Sequence, residues 1–177
     1  MAEVGKILDY IYVMTYVFSG RNGTVAHQTN LYPSKNYAEG ASGDKSMKNF
    51  LGAGVPAKKL VLGSCFYGKA WEAENTVNNG LGQKSLKAAT LASGSGYTMI
   101  KDSLVNQKGY KRYWDKDAKA GYLFNAETKV LVTYDDEASI KAKSKYIRKN
   151  KFGGIFFWEY SRDPKEYLLT EINKDLP

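Results

Sequence analysis

Histidine and cysteine occur only once each in these 177 residues, and proline only four times. A single cysteine, Cys65, excludes any disulfide within the chain. It lies in the apolar run Leu60-Val61-Leu62-Gly63-Ser64-Cys65-Phe66-Tyr67, so it reads as a buried, inert thiol. A nucleophilic role would need an activating base, and His27 is the only histidine. Long apolar runs are missing too, and none could span a bilayer. Residues Met1-Ala2-Glu3-Val4-Gly5-Lys6 show neither the apolar stretch nor the cleavage site of a signal peptide. Acidic residues are outnumbered, 18 against 26 Lys and Arg, for a net charge of +8. Such an excess suggests nucleic acid or an anionic surface as a partner. Its distribution argues otherwise. The densest cluster, Lys141, Lys143, Lys145, Arg148, Lys149 and Lys151, follows one predicted helix and its exit, and no groove-reading motif accompanies it. It reads as a solvated helix face, with neither nucleic acid nor a membrane as partner.

What is present fits one globular core plus a small module. Apolar residues make up 43 % and charged residues 25 %. There are 14 tyrosines, which pair a flat apolar face with a hydroxyl and suit stacking on sugar rings or partner chains. Asp9 to Val17 is rich in β-branched and aromatic residues and nearly continuously apolar, the pattern of a strand buried on both faces. Residues 18–43 are rich in Gly, Asn, Ser and Thr and predict a long loop, a site candidate by its length. Asp44 is placed to cap a short helix carrying Met47, Phe50 and Leu51, ended by Gly52 or Gly54. Leu60 to Tyr67 follows as a second buried strand.

Residues 68–133 break the rhythm. They hold a helical stretch near Thr98 to Asn106 and alternating segments at 111–115, 121–125 and 129–134. Asp135 or Asp136 then caps a helix reaching about Asn150, with Ile140 and Ile147 inward, and Ile155 to Trp158 forms a third buried strand. Asp163-Pro164-Lys165-Glu166 carries the signals of a helix start, with Tyr167, Leu168 and Ile172 inward. The expected fold class is α/β, a partial (β/α)8 barrel of three βα units with an inserted small α+β domain. The barrel part is assigned to residues 1–69 and 133–177, and the insertion to 70–132. A closed barrel needs eight strands and typically ~250 residues. Three parallel strands leave open edges, so a second polypeptide or self-association is expected to cover them.

Three stretches, in order, resemble glycoside hydrolase family 18, the chitinases and chitinase-like proteins. Tyr12-Val13-Met14-Thr15-Tyr16 is similar to the family's sixth barrel strand, and His27-Gln28-Thr29-Asn30-Leu31-Tyr32 to the loop after it. Lys59 through Trp71, with Phe66-Tyr67-Gly68-Lys69-Ala70-Trp71, resembles the seventh strand and the entry to the insertion. Tyr134-Asp135-Asp136-Glu137-Ala138-Ser139-Ile140 through Trp158-Glu159 resembles the last helix–strand unit. The resemblance implies a glycosidase acting on chitin or chito-oligosaccharides, without cofactor or metal, and is compatible with an extracellular location. It implies that Tyr16 contacts the N-acetyl group of the sugar at the cleavage point. Trp158 would form the floor beneath that sugar, with Met14, Trp71 and Lys69 as further substrate contacts. For Tyr16, Trp158 and Trp71 the alternative is a core aromatic, and for Lys69 a solvated cation. His27 is a weaker contact candidate and no catalytic base.

Two departures from the family pattern stand out. Val17 replaces an aspartate after the sixth-strand tyrosine. The fourth-strand signature Asp-x-x-Asp-x-Asp-x-Glu, whose glutamate protonates the leaving oxygen, has no counterpart. The nearest spacing, Asp115-x-Asp117, continues into Lys119. Glu159 is the only acid beside the predicted pocket strands and reads as structural. The family's substrate-assisted mechanism is an exception to the two-carboxylate scheme. This chain is therefore expected to be inactive alone. The other reading is a catalytically dead chitinase-like binding protein or toxin subunit.

Overall fold

The computed structural model describes residues 2–18, 23–37, 40–92 and 94–176. Parts of the expected 18–43 loop, residues 19–22, 38 and 39, lie outside them. The fold is mixed α/β, built around two sheets. The first is parallel, in the order β1 (Ile11–Val13), β2 (Leu60–Cys65), β8 (Gly154–Trp158). The second is antiparallel, in the order β4 (Ser85–Ala88), β3 (Lys69–Ala73), β7 (Val130–Thr133), β6 (Ala120–Asn125), β5 (Tyr110–Asp115). Five helices accompany them among the described residues: α1 (Ala2–Ile7), α2 (Gly43–Gly52), α3 (Tyr97–Ser103), α4 (Glu137–Asn150) and α5 (Tyr167–Asp175). None of them is long and apolar enough to cross a membrane.

Register decides which side of the parallel sheet is buried. Val13 pairs with Leu62 and Leu62 with Ile155, and these side chains meet Met47, Tyr146 and Ile147 of α2 and α4 in one apolar cluster. The opposite face carries Tyr12, Val61, Gly63, Cys65, Phe156 and Trp158, with Met14 just beyond the β1 ladder. Tyr12 and Met14 are 62 % and 61 % exposed, and Trp158 58 %. This corrects the expectation that the strand from Asp9 to Val17 is buried on both faces. Its ladder spans three residues, and one face is uncovered. A run apolar on both parities shows that both faces suit an apolar environment, not that both receive one.

Two helix starts differ from expectation, and a third selects between the alternatives it left open. Ser42, not Asp44, is the N-cap of α2, its hydroxyl accepting from Lys45 N at 3.3 Å. Asp44 lies in the first turn, where it pairs with Lys48 at 2.9 Å. Gly54, at φ +84°, completes a Schellman close with Val55 N donating to Phe50 O. Of the two candidates for α4, Asp136 caps it in a reciprocal box with Ser139. Asp135 turns instead toward Lys143. The last helix begins at Tyr167 rather than at Pro164. Asp163 still reaches its first turn, accepting from Leu168 N at 2.7 Å while also binding Thr98 Oγ1 at 2.8 Å.

Residues 23–37 form no open polar loop. His27, Gln28, Thr29 and Asn30 are all buried, threaded between the two sheets. Lacking a regular ladder, this stretch draws its partners from scattered backbone and side-chain groups, while His27 Nδ1, Gln28 Oε1 and Asn30 Oδ1 are buried without one. Gln28 N donates to Thr133 Oγ1 at 3.0 Å, and Gln28 Nε2 to Tyr67 O at 2.8 Å. Strands β3 and β4 were not foreseen at all. β4 carries an exposed Leu86 and lysine beside it, so neither burial nor alternation marks it.

Candidate functional site

The uncovered face of the parallel sheet gathers the candidate residues from three separated parts of the chain. Gly63 lies at its centre. A Cβ there would stand 2.8 Å from Val13 O, 2.9 Å from the Tyr16 ring and 3.0 Å from the Phe156 ring. The missing side chain is what lets both rings close over β2. Thr15 Oγ1 donates to Gly63 O at 2.6 Å, continuing the β1–β2 contact beyond the ladder. Val17 then adopts φ +63°, a strained conformation for a β-branched residue, directly after Tyr16.

Tyr16 is only 6 % exposed, tilted against Phe156 at 6.1 Å between ring centres. So covered a ring offers no stacking face, and any contact with a ligand runs through its hydroxyl. Burial, and then the neighbouring Cys65, raise its pKa, so the hydroxyl remains a proton donor at neutral pH. Tyr12 meets Phe156 edge-on at 5.3 Å. Cys65 pairs with Trp158 in the ladder, and its thiol is pushed up to about 12 by burial and by Asp135. It is a packing residue, as its sequence context indicates. Trp158 is followed by a cis peptide to Glu159 and presents a largely open indole.

Tyr12, Phe156, Tyr67 and Arg162 were missed as site residues. Tyr67 follows β2, and burial raises its pKa to about 12, with Cys65 and Tyr16 adding and Arg162 opposing. The alternating parity of Tyr12 with Met14 and of Phe156 with Trp158 could have identified the first two. Nothing in the sequence indicates Arg162.

Glu159, next to Trp158, is paired with Arg162, Oε1 to Nε 3.2 Å. Lys69 and Trp71 stand on the other sheet, in β3. Both line a groove of about 490 Å³ with Ala88, Ala89 and Leu91. Trp71, however, is 9 % exposed and packs against Val25, Leu81, Phe124 and Leu131. An indole in that position belongs to the core and presents only one edge to the groove.

His27 is likewise no surface residue. Its Nε2 lies 3.2 Å from Asp115 Oδ2, and its ring meets Tyr122 edge-on at 5.6 Å. Asp115 also accepts from Ser34 Oγ at 2.5 Å, Asn36 Nδ2 at 3.1 Å and the backbone N–H of Asp117 and Ala118. Burial alone would raise its pKa, but the hydrogen bonds from His27, Ser34 and Ala118 hold it well below the usual carboxylate range. The Asp115-x-Asp117 spacing is thus a structural anchor for the buried crossing. Among the described residues, no group of three or more His, Cys, Asp or Glu could hold a metal ion.

A second buried network underlies the end of β2. Lys143 Nζ reaches Asp135 Oδ1 and Oδ2 at 2.8 and 2.7 Å and Thr29 Oγ1 at 2.6 Å, with both charged groups fully buried. Ser64 Oγ and Cys65 N donate to Asp135 Oδ2 at 2.8 and 3.2 Å. The cluster ties the crossing, β2 and α4 together beneath the candidate face.

Comparison with known proteins places this geometry. The family model described as glycosyl hydrolases family 18 matches residues 1–163. Chitinase A1 of Niallia circulans is 35 % identical over an alignment covering 100 % of this chain and 27 % of that protein. A glycoside hydrolase family 18 N-acetylglucosaminidase from Paenibacillus barengoltzii superposes with TM-score 0.90 at 36 % identity, over 99 % of this chain and 51 % of that one. A family 18 chitinase from Cycas revoluta in complex with (GlcNAc)3 gives TM-score 0.82 at 27 % identity, over 98 % and 48 %. The chain thus spans about a quarter of the first relative and about half of these structures.

Proposed function

Because this chain belongs to glycosyl hydrolases family 18, we propose that it forms the C-terminal barrel segment of a chitinase-type enzyme acting on β-1,4-linked N-acetylglucosamine. On this reading residues 1–69 and 133–177 are three βα units of a (β/α)8 barrel, and 70–132 are the insertion between them. The observation that carries the reading is the convergence of Met14, Tyr16 and Trp158 on one uncovered sheet face. Barrel sites gather at the C-terminal ends of strands, and Tyr16 and Trp158 both stand there.

In this proposal the open indole of Trp158 stacks on the sugar bound at the cleavage point. The Tyr16 hydroxyl donates to its N-acetyl group and holds it toward the anomeric carbon, a preorganised contact. Met14 fills the side of the pocket. Lys69, and the edge of Trp71, meet the sugar chain farther along, at the groove bounded by β3. Gly96 in the adjoining segment packs against Arg162 O, which brings that groove next to the turn after Trp158.

The chain on its own binds without turnover. Protonating the leaving oxygen is typically worth ~10²–10⁴-fold, and Glu159, the acid adjoining Trp158, is paired with Arg162. Val17 in place of the family's aspartate favours a second reading, a chitinase-like protein that binds sugar and does not cleave it. A fluorogenic chitotriose assay beside a tryptophan-fluorescence titration tests both. Binding that Trp158→Ala weakens, with no turnover above buffer, supports the site. Steady turnover abolished by Glu159→Gln overturns the assignment of an absent acid.

A further inference from the structure

The basic cluster that the sequence places along α4 is not one solvated face. Lys143 is buried against Asp135, and Arg148 is engaged by Asp175. Apart from Lys151 at the helix end, what remains is the row Lys141, Lys145 and Lys149, spaced four residues apart on one face of the helix. None of these three forms an ion pair among the described residues, and like charges at this spacing repel. Lys145 and Lys149, with Lys119 from the turn between β5 and β6, surround a groove of about 340 Å³. Tyr32 and Tyr146 line the same groove, their rings edge-to-face at 6.0 Å. Lys119 forms no ion pair among the described residues either. The nearby carboxylates are already engaged, Asp44 by Lys48 and by the Tyr146 hydroxyl, and Asp117 by Lys35.

We infer that this groove is a binding site for an anionic sugar, a pyranose ring bearing sulfate or carboxylate groups. Three ammonium groups without a counter-charge supply the electrostatic complement. The half-buried Tyr32 supplies a flat apolar surface with a hydroxyl for the ring. The volume falls at the small end of the usual range for ligand sites, ~300–1,000 Å³, and suits one or two rings rather than a duplex or a lipid surface. The floor is fixed. Leu31 N and Tyr32 N both donate to Ala118 O, at 3.0 and 3.1 Å, and Tyr146 packs on Phe152. The groove lies on the helix-covered side of the parallel sheet, whereas Met14 and Trp158 face the opposite side. It therefore goes beyond the proposed chitin site and does not depend on it.

The test is an NMR titration of the 177-residue chain with a chondroitin sulfate tetrasaccharide at low ionic strength. Chitotetraose and inorganic sulfate serve as the neutral and the ring-free probes. The expected result is shifts centred on Tyr32, Lys119, Lys145 and Lys149, with chitotetraose leaving these residues unmoved and sulfate binding at least 10-fold more weakly. Each of Lys145→Gln and Lys149→Gln should weaken binding by roughly 3-fold, as for exposed charge pairs. Raising the salt to 0.5 M should abolish most of it. Lys141→Gln removes an equal charge from the same row outside the groove and should have less effect. Tyr32→Leu keeps the bulk but loses the flat face, and should weaken the tetrasaccharide without changing sulfate binding. Trp158→Ala should leave the titration unchanged. Equal binding of sulfate and tetrasaccharide, or equal losses for Lys141→Gln and Lys149→Gln, would overturn the inference in favour of diffuse charge attraction. An absence of shifts in the groove would overturn it outright.

Discussion

Single atoms set the geometry of the uncovered sheet face. Gly63 lacks a Cβ where Val13 O, Tyr16 and Phe156 all converge within 3.0 Å. The Val13 carbonyl is held in the strand and cannot move aside. Gly63→Ala is therefore expected to cost ~1–3 kcal/mol, as overpacking does, and to displace Tyr16 and Phe156. Urea denaturation would show the lost stability, and a sugar titration followed by Trp158 fluorescence would show weaker binding. Asp115 is the second decisive residue. Its folded pKa lies below its unfolded value, ~3.9, so between the two values the unfolded state binds more protons. Its contribution is thus present above the unfolded pKa and is lost as pH falls toward the folded one. Asp115→Asn should destabilise by ~1.5–3 kcal/mol at pH 7, the scale of hydrogen bonds to a charged acceptor. The gap from wild type should narrow between pH 5 and about pH 3. A gap independent of pH would refute the assignment of that carboxylate as the buried anchor.

Elements are held by a few polar devices at their ends. The α2 N-terminus depends on the Ser42 hydroxyl, and Ser42→Ala is expected to cost ~1 kcal/mol in denaturant unfolding. Lys143 carries more. Removing it in Lys143→Met leaves the Asp135 charge buried without its cation, a change worth ~3–5 kcal/mol. Lys143→Met combined with Asp135→Asn should recover part of that loss, because the amide oxygen can still accept from Ser64 or Cys65 N without a charge. A double variant no more stable than Lys143→Met would show that the pair matters through packing, not charge.

Taken as a whole, the molecule has an exposed aromatic face that its own helices do not cover. Tyr10, Tyr12, Met14 and Trp158 are all more than half exposed beside the free edges of β1 and β8. Each apolar side chain left in water forgoes ~1.5–3 kcal/mol, so this handful rivals the ~5–15 kcal/mol net stability of a domain. We predict that the chain alone self-associates through this face, with apparent mass rising with concentration in light scattering. Met14→Glu should reduce the association by placing a charge at the centre of the contact. A monodisperse monomer with cooperative unfolding at high concentration would contradict it, and association lost only when a second polypeptide is added would identify a different cover.

Local pattern was enough, from sequence alone, for the three parallel strands and for α4 with its Asp136 or Asp135 cap. Those signals are carried by near neighbours in the chain: β-branched runs and a capping residue. Which face each side chain takes was another matter. Ile11, Val13 and Leu62 were as apolar as Tyr12, Met14 and Phe156, and only the packing of α2 and α4 chose the first set for burial. His27 and Asp115 lie 88 residues apart, and no local feature announces that a polar stretch will cross the interior and need a carboxylate there. Lys143, Arg148 and Lys149 look alike in sequence. One became a buried ion pair, one a surface contact and one the rim of a groove, because distant residues alone set the dielectric and the partners each of them meets.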